Sequence, residues 1–323
     1  MKMVNTVLGP VSSDELGLTL MHEHIVIGLT GYFVDETVAP FDREECVNTA
    51  LADMEELKTY GVKTIVDATS NEGGRDPGLL REIAEKSGVN IICSTGLYEE
   101  HGGAAPYFRT RSTLPFFDVT AEIEELFVKE ITEGIGKSGV KAGVIKVGTG
   151  SGSISEYEEM VLKAATRAQK ATGVPIITHT DDGTMGPEQA DIFLAEGAEP
   201  KQIMIGHNDM NGDVKYHTAI LDKGVYIAFD RFGIELPQQM SDRWRLASVT
   251  GLIAIGHADR LIMSHDSCMY PLGRPIPTAL MMPDWHPRHI FKDIIPFLKK
   301  AGVTDDTINM IMVENPRRLF AGE

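Results

Sequence analysis

Eight short apolar runs rich in β-branched residues punctuate the chain, separated by longer charged stretches. They are TLMHEHIVI (19–27), TIVDATS (64–70), NIICSTGLY (90–98), GVIKVGT (143–149), PIITHT (175–180), IMIGHND (203–209), VYIAFDRFG (225–233) and LIMSHDS (261–267). Runs of this kind predict buried strands, and the stretches 43–60, 75–87, 121–137, 156–171, 187–196 and 213–222 between them predict amphipathic helices. Gly61, Gly88, Gly173, Gly197 and Gly224 stand where helices end. Strand alternating with helix predicts βα units on a parallel sheet. Eight such strands close a barrel. A doubly wound open sheet shares the alternation, but no GxGxxG follows the first run, so the best support for a dinucleotide fold is missing. The expectation is an α/β protein, a (β/α)8 TIM barrel, in one domain spanning 1–323. A Pro- and Met-containing stretch, 268–287, precedes a helix beginning near His289 and is expected to lie over one end of the barrel.

Charge and cysteine usage narrow the partners. A formal charge of −17 with no offsetting Lys/Arg cluster excludes nucleic acid and anionic membrane as expected partners and favours a small neutral substrate. Cys46, Cys93 and Cys268 are odd in number and widely spaced, which fits a reducing compartment better than a disulfide framework. The start MKMVNTVLGPVSS lacks the apolar core of a secretory signal, and no run reaches the ~18 apolar residues of a membrane span. A cytoplasmic protein is expected.

The candidate chemistry sits at the strand ends. His22 and His24 form an H-x-H pair on the first run, and strand alternation turns both imidazoles to the same face. Alone, so short a motif reads best as a chance polar pair. His179 closes the fifth run, His207 ends the sixth and Asp266 ends the eighth, all towards the carboxyl ends that converge on one face of a barrel. Such groups need partners there, and a metal supplies them. Lys146, in the middle of GVIKVGT, has two readings: an amine paired with a strand-end carboxylate, or a lysine carboxylated by carbon dioxide whose carbamate bridges two metals. His265 alternates away from Asp266 and is not expected to be a ligand. Tyr98 and Trp285 read equally well as packing aromatics, and Arg231 as a partner of Asp230 or Glu235.

HEH on strand one, a lysine on strand four, single histidines on strands five and six and SHD ending strand eight resemble the phosphotriesterase family of the amidohydrolase superfamily, over essentially the whole chain from GLTLMHEH to ENPRRLF. The resemblance implies a binuclear metal centre at the carboxyl-terminal face of the barrel. His22, His24 and Asp266 would hold the more buried metal and His179 and His207 the more exposed one, with N6-carboxylated Lys146 bridging them. Zinc is the first expectation, and iron, cobalt or manganese suit the same donors. Within the family the chain looks closer to the phosphotriesterase-like lactonases. Tyr98 and Arg231 match those enzymes' tyrosine and arginine, the short run from Gly233 to a helix near Ser241 resembles their reduced seventh loop, and the stretch holding Cys268, Met281, Met282 and Trp285 takes the place of their substrate loop. The segment after His207 departs from the pattern, with Met210 where many relatives carry an acid.

By that likeness the chain is a metal-dependent lactonase acting on N-acyl-homoserine lactones, hence quorum quenching, and on other aliphatic lactones. A hydroxide shared by the metals attacks the carbonyl, Tyr98 orients the carbonyl oxygen and Asp266 carries the proton to the leaving alkoxide. Phosphotriester hydrolysis is the expected side activity, and a homodimer the expected assembly. Two rivals stay open: a primary phosphotriesterase, and a metal-binding barrel without turnover.

Overall fold

The computed structural model describes residues 2–236 and 240–323. It opens with an antiparallel hairpin that no apolar run announces, β1 (Met3–Thr6) and β2 (Gly9–Ser12). The hairpin lies across the amino-terminal end of the barrel. Val4 packs into the barrel interior, and the Asn5 amide donates to the carbonyls of Ile131 and Ala142.

All eight apolar runs become parallel strands: β3 (Leu18–Ile27), β4 (Val62–Asp67), β5 (Asn90–Thr95), β6 (Val144–Thr149), β7 (Ile176–Thr180), β8 (Ile203–Ile205), β9 (Tyr226–Phe229) and β10 (Leu261–Met263). Each pairs with the next. Beyond β10 the chain kinks at Asp266 and continues as β11 (Ser267–Pro271), parallel to β3. The last repeat thus bonds to β9 through its first half and to β3 through its second, which closes the ring. The stretch 268–287 is accordingly less irregular than its sequence suggests: it supplies β11 and a helical turn at Thr278–Met281.

Several runs end as strands earlier than their apolar pattern does. Residues 96–98, 206–209 and 230–233 lie in loops beyond the strands, because side-chain carboxylates take their backbone N–H groups in place of a strand partner. Glu72 accepts from Tyr98 N, Asp230 from His207 N and Asp209 from Arg231 N. The interior is filled by Met21, Val66, Ile92, Val144, Ile177, Met204, Ala228 and Ile262, so this is a packed core and not a pore.

The helices lie where their spacing predicts, as α1 (Arg43–Thr59), α2 (Pro77–Ser87), α3 (Pro106–Ser112), α4 (Val119–Thr132), α5 (Glu156–Thr172), α6 (Gly186–Ala195), α7 (Val214–Leu221) and α8 (Asp242–Ala254). α3 lies outside every predicted stretch, and α8 begins where the resemblance places a helix near Ser241. Asp42, Asp76, Asp118 and Asp213 cap their helices through a following N–H, and Ser155 with Glu158 forms a full capping box at α5. The helix expected over 121–137 stops at Thr132 because Gly134 and Gly136 both have positive φ. The short run after Gly233 passes through 237–239, which lie outside the described residues. Among the described residues, no helix is long and apolar enough to cross a membrane.

Candidate metal centre

The site depends on an irregularity in β3. Met21 belongs to the barrel interior, so strict alternation would turn Glu23 inward and both histidines out. Between Leu20 and Glu23 the pairing of β3 with β4 slips by one residue, and this bulge brings His22 and His24 to the inner face.

The six expected ligands converge. Asp266 Oδ1 lies 3.2 Å from His22 Nε2 and 2.9 Å from His24 Nε2, and Asp266 Oδ2 lies 3.7 Å from His207 Nε2. Lys146 Nζ lies 3.3 Å from His22 Nε2, and the His179 and His207 rings are 4.5 Å apart. Two groups, His22–His24–Asp266 and His22–His207–Asp230, are close enough to hold a cation. They differ in the nitrogen offered. Asp230 Oδ2 bonds His22 Nδ1 at 2.7 Å and its Oδ1 bonds His207 Nδ1 at 2.9 Å, while Thr69 Oγ1 bonds His24 Nδ1 at 2.8 Å. Each of the three rings is therefore anchored through Nδ1 and presents Nε2 to the same space. Asp230 spends both carboxylate oxygens on the Nδ1 atoms of His22 and His207, the arrangement in which a metal-binding imidazole gives its other nitrogen to a carboxylate.

The donor set fits divalent cations on a further observation. Among the described residues, the buried His179 Nε2 and His207 Nε2 have no hydrogen-bond partner, a cost that bound metal would remove. Burial lowers the pKa of His179 to about 4 and that of His207 well below its usual value, so both are neutral, the form that binds metal. Burial also pushes Lys146 down to about 8 against the pull of Asp266 and Asp230. Among the described residues no carboxylate lies within 4 Å of Nζ, whose contacts are the Thr178 carbonyl at 3.0 Å and His22. The paired-amine reading of Lys146 is not what the fold builds. Gly96 is required beside it, since a Cβ there would sit 1.6 Å from the Lys146 carbonyl oxygen.

The flanking residues divide. Tyr98 packs edge-on against His179 at 5.1 Å, and burial raises its pKa, so its hydroxyl stays a donor. Arg231 pairs with neither Asp230 nor Glu235: its Nε reaches Asp266 Oδ2 at 3.1 Å. The Trp285 indole N–H donates to the carbonyls of His265 (3.1 Å) and Asp266 (3.2 Å), which ties the 268–287 stretch to the kink at Asp266. Met281 is half exposed and Met282 partly so. Cys268 lies in β11 in register with His24, in a strand and not a loop. Next to Met210, Asp209 forms a buried ion pair with Arg245 at 2.9 Å. His265 faces away as expected, bonded to Glu23.

Asp230 is the site residue the sequence reading missed as such. It ends strand seven as Asp266 ends strand eight, and the same criterion applied to FDR would have found it.

Known proteins agree with this geometry. The profile of the phosphotriesterase family matches residues 2–320. A phosphotriesterase homology protein from Mycobacterium tuberculosis is 37% identical over 99% of this chain and 98% of its own length. An aryldialkylphosphatase from Saccharolobus solfataricus is 32% identical over 96% of this chain and 97% of its own. The structure of a variant of a PTE-like lactonase from Deinococcus radiodurans superposes with a TM-score of 0.95 at 44% identity, covering 98% of this chain and 99% of that one. With the eightfold barrel and the convergent His/Asp cluster already in place, the chain belongs to the phosphotriesterase family and is a metal-dependent hydrolase.

Proposed function

We propose that the protein is a lactonase for N-acyl-homoserine and related aliphatic lactones, with phosphotriester hydrolysis as a side activity. The observation that carries this reading is the pair of donor-bearing side chains flanking the cluster, Tyr98, whose ring packs edge-on against His179, and Arg231, whose guanidinium meets Asp266. Two directional donors suit the oxygens of a planar ester better than the bulk of a trisubstituted phosphorus. Two divalent cations bound among His22, His24, Lys146, His179, His207 and Asp266 would lower the pKa of a water to give a nucleophile at neutral pH and would polarise the carbonyl. Tyr98 orients the carbonyl oxygen. Asp266 takes the proton of the attacking water and returns it to the ring oxygen as the C–O bond breaks, so lactone and water become a hydroxy acid. The acyl chain lies along Met281, Met282 and the Trp285 face.

On one metal-loaded preparation, kcat/KM for acyl-homoserine lactones and plain lactones is expected to exceed that for a phosphotriester by at least about tenfold, or 1.4 kcal/mol of differential transition-state binding. The reverse order would make the protein primarily a phosphotriesterase, and no turnover of either would leave a binding barrel. Metal analysis of the same preparation should find close to two ions per chain, and one after full reconstitution would remove the binuclear centre.

Chain length is the second readout. Met282→Ala should lower the preference for long over short acyl chains roughly fourfold, the worth of one buried methylene at ~0.8 kcal/mol, with metal content unchanged. Equal losses on both chain lengths would place the acyl chain elsewhere. Trp285 is the poorer probe, because its N–H also holds the Asp266 carbonyl.

A further inference from the structure

Two expected ligands occupy left-handed backbone conformations that non-glycine residues rarely adopt, His207 at φ 57° and Asp266 at φ 53°. Such conformations persist only where the surroundings impose them. At His207 the agent is Asp230, whose Oδ1 takes both the backbone N–H (2.7 Å) and the ring Nδ1–H (2.9 Å).

At Asp266 a different carboxylate does the same work. Glu23, the middle residue of HEH, is fully buried. Its Oε1 accepts from His265 N–H (3.0 Å), His265 Nδ1–H (2.7 Å) and Ser264 Oγ–H (2.8 Å). Its Oε2 accepts from Ser267 N–H (2.9 Å) and Ser267 Oγ–H (2.5 Å). The amide between, Asp266 N–H, donates to the His22 carbonyl at 3.0 Å. All three amides of residues 265–267 thus end on residues 22 and 23 of β3. A buried carboxylate is costly unless fully bonded, and five donors, gathered from both sides of one kinked residue, offset that cost. The His265 ring is fixed in turn: donating through Nδ1, it accepts Ile290 N–H at Nε2 (3.0 Å).

We propose that Glu23 is a positioning residue for the hydrolysis, holding the 265–267 turn so that the Asp266 carboxylate meets the Nε2 atoms of His22 and His24. It acts through Asp266 and rests on the role given to Asp266 above.

Glu23→Gln keeps the volume and one acceptor oxygen but sets an amide –NH2 against a backbone N–H, donor against donor. In the metal-free protein, hydrogen exchange at the amides of His265 and Ser267 should quicken. In the zinc-loaded protein, kcat should fall about 10- to 100-fold and a chelator should strip zinc faster, the usual consequence of losing a group that orients a ligand. KM should stay within about twofold. A general loss of stability would not produce the decisive result, which is non-additivity. In an Asp266→Asn background, Glu23→Gln should cost little further rate, whereas full multiplication of the two losses would show that Glu23 does not act through Asp266 and overturn the proposal. Native exchange at both amides together with native kcat would overturn it too. If Glu23→Gln does not fold, Ser267→Ala removes one donor and should move exchange and kcat in the same direction by less. Should Asp266→Asn alone leave the rate unchanged, the role of Asp266 fails, and the exchange measurement still decides whether Glu23 holds the turn.

Discussion

Lys146→Ala is expected to abolish nearly all hydrolysis while leaving the fold intact. Lys146 is buried on β6 and, among the described residues, has only the Thr178 carbonyl and His22 in bonding distance, so its amine contributes little that the barrel needs. A buried ammonium without a carboxylate is a cost, and its removal should shift the melting temperature by only a few degrees. Its value, on the proposed function, lies in the carbamate that the amine would form. Under the proposed function a carbamate on Nζ would add two oxygen donors beside His22, whose Nε2 lies 3.3 Å from Nζ. Losing it should cost at least ~10³-fold in kcat/KM, since the charge stabilisation at stake is several kcal/mol and each 1.36 kcal/mol is a decade. The cavity left by the alanine gives the decisive readout. Formate, acetate or propionate should restore part of the activity and metal content of Lys146→Ala. Lys146→Met fills the same space and should not respond. Rescue of neither variant would argue against the carbamate, and full activity in Lys146→Met would show that no bridging group is needed.

The parts of this molecule legible in the sequence follow from periodicity and from residue types that are expensive to bury. Apolar runs that carry His, Asp or Lys within them or at their ends announce both a strand and a candidate site, which is why His22, Lys146, His179, His207 and Asp266 could be collected from the sequence alone. The hairpin of β1 and β2 was illegible because its buried residues, Val4, Thr6 and Val7, are too few and too interrupted to make an apolar run. The bulge between Leu20 and Glu23 was illegible for a different reason. It is a property of two strands paired in space, and the parity of β3 alone points to the wrong face. Glu23 was overlooked because an acid between two histidines reads as another candidate ligand or as a surface charge, and Asp230 because beside Arg231 it reads as that residue's ion-pair partner. Only the coordinates show that each carboxylate spends its oxygens on backbone amides and on the far nitrogens of imidazoles. The left-handed turns at His207 and Asp266 belong with them, since nothing in NDM or SHD requires positive φ. Arg231 is the case where the bland expectation and the functional one were both incomplete. Its partner is neither neighbouring acid but Asp266, across the mouth of the barrel.

Asp266→Asn should separate metal binding from proton transfer. The carboxylate faces His22 and His24 through Oδ1 and Arg231 and His207 through Oδ2. Asparagine keeps the size and one oxygen for the histidine side, and Glu23 still holds the turn, so the variant should retain most of its metal. It cannot take a proton from water or return one to an alkoxide. General acid–base catalysis is worth ~10²–10⁴-fold, and the loss should fall in kcat far more than in KM. It should also depend on the leaving group. A lactone expels an alkoxide that is strongly basic unless protonated as the C–O bond breaks, whereas a nitrophenyl ester or phosphotriester expels a phenolate stable without that proton. The defect should therefore be large on the lactone and at least about tenfold smaller on the nitrophenyl substrates. Part of it will persist on both, because the attacking water still has a proton to lose. If the variant keeps two metals yet slows both leaving-group classes equally, Asp266 does not protonate the alkoxide. Its remaining work is then to hold metal and to accept the proton of the attacking water, and the leaving oxygen must draw its own proton from Arg231, from Tyr98 or from solvent.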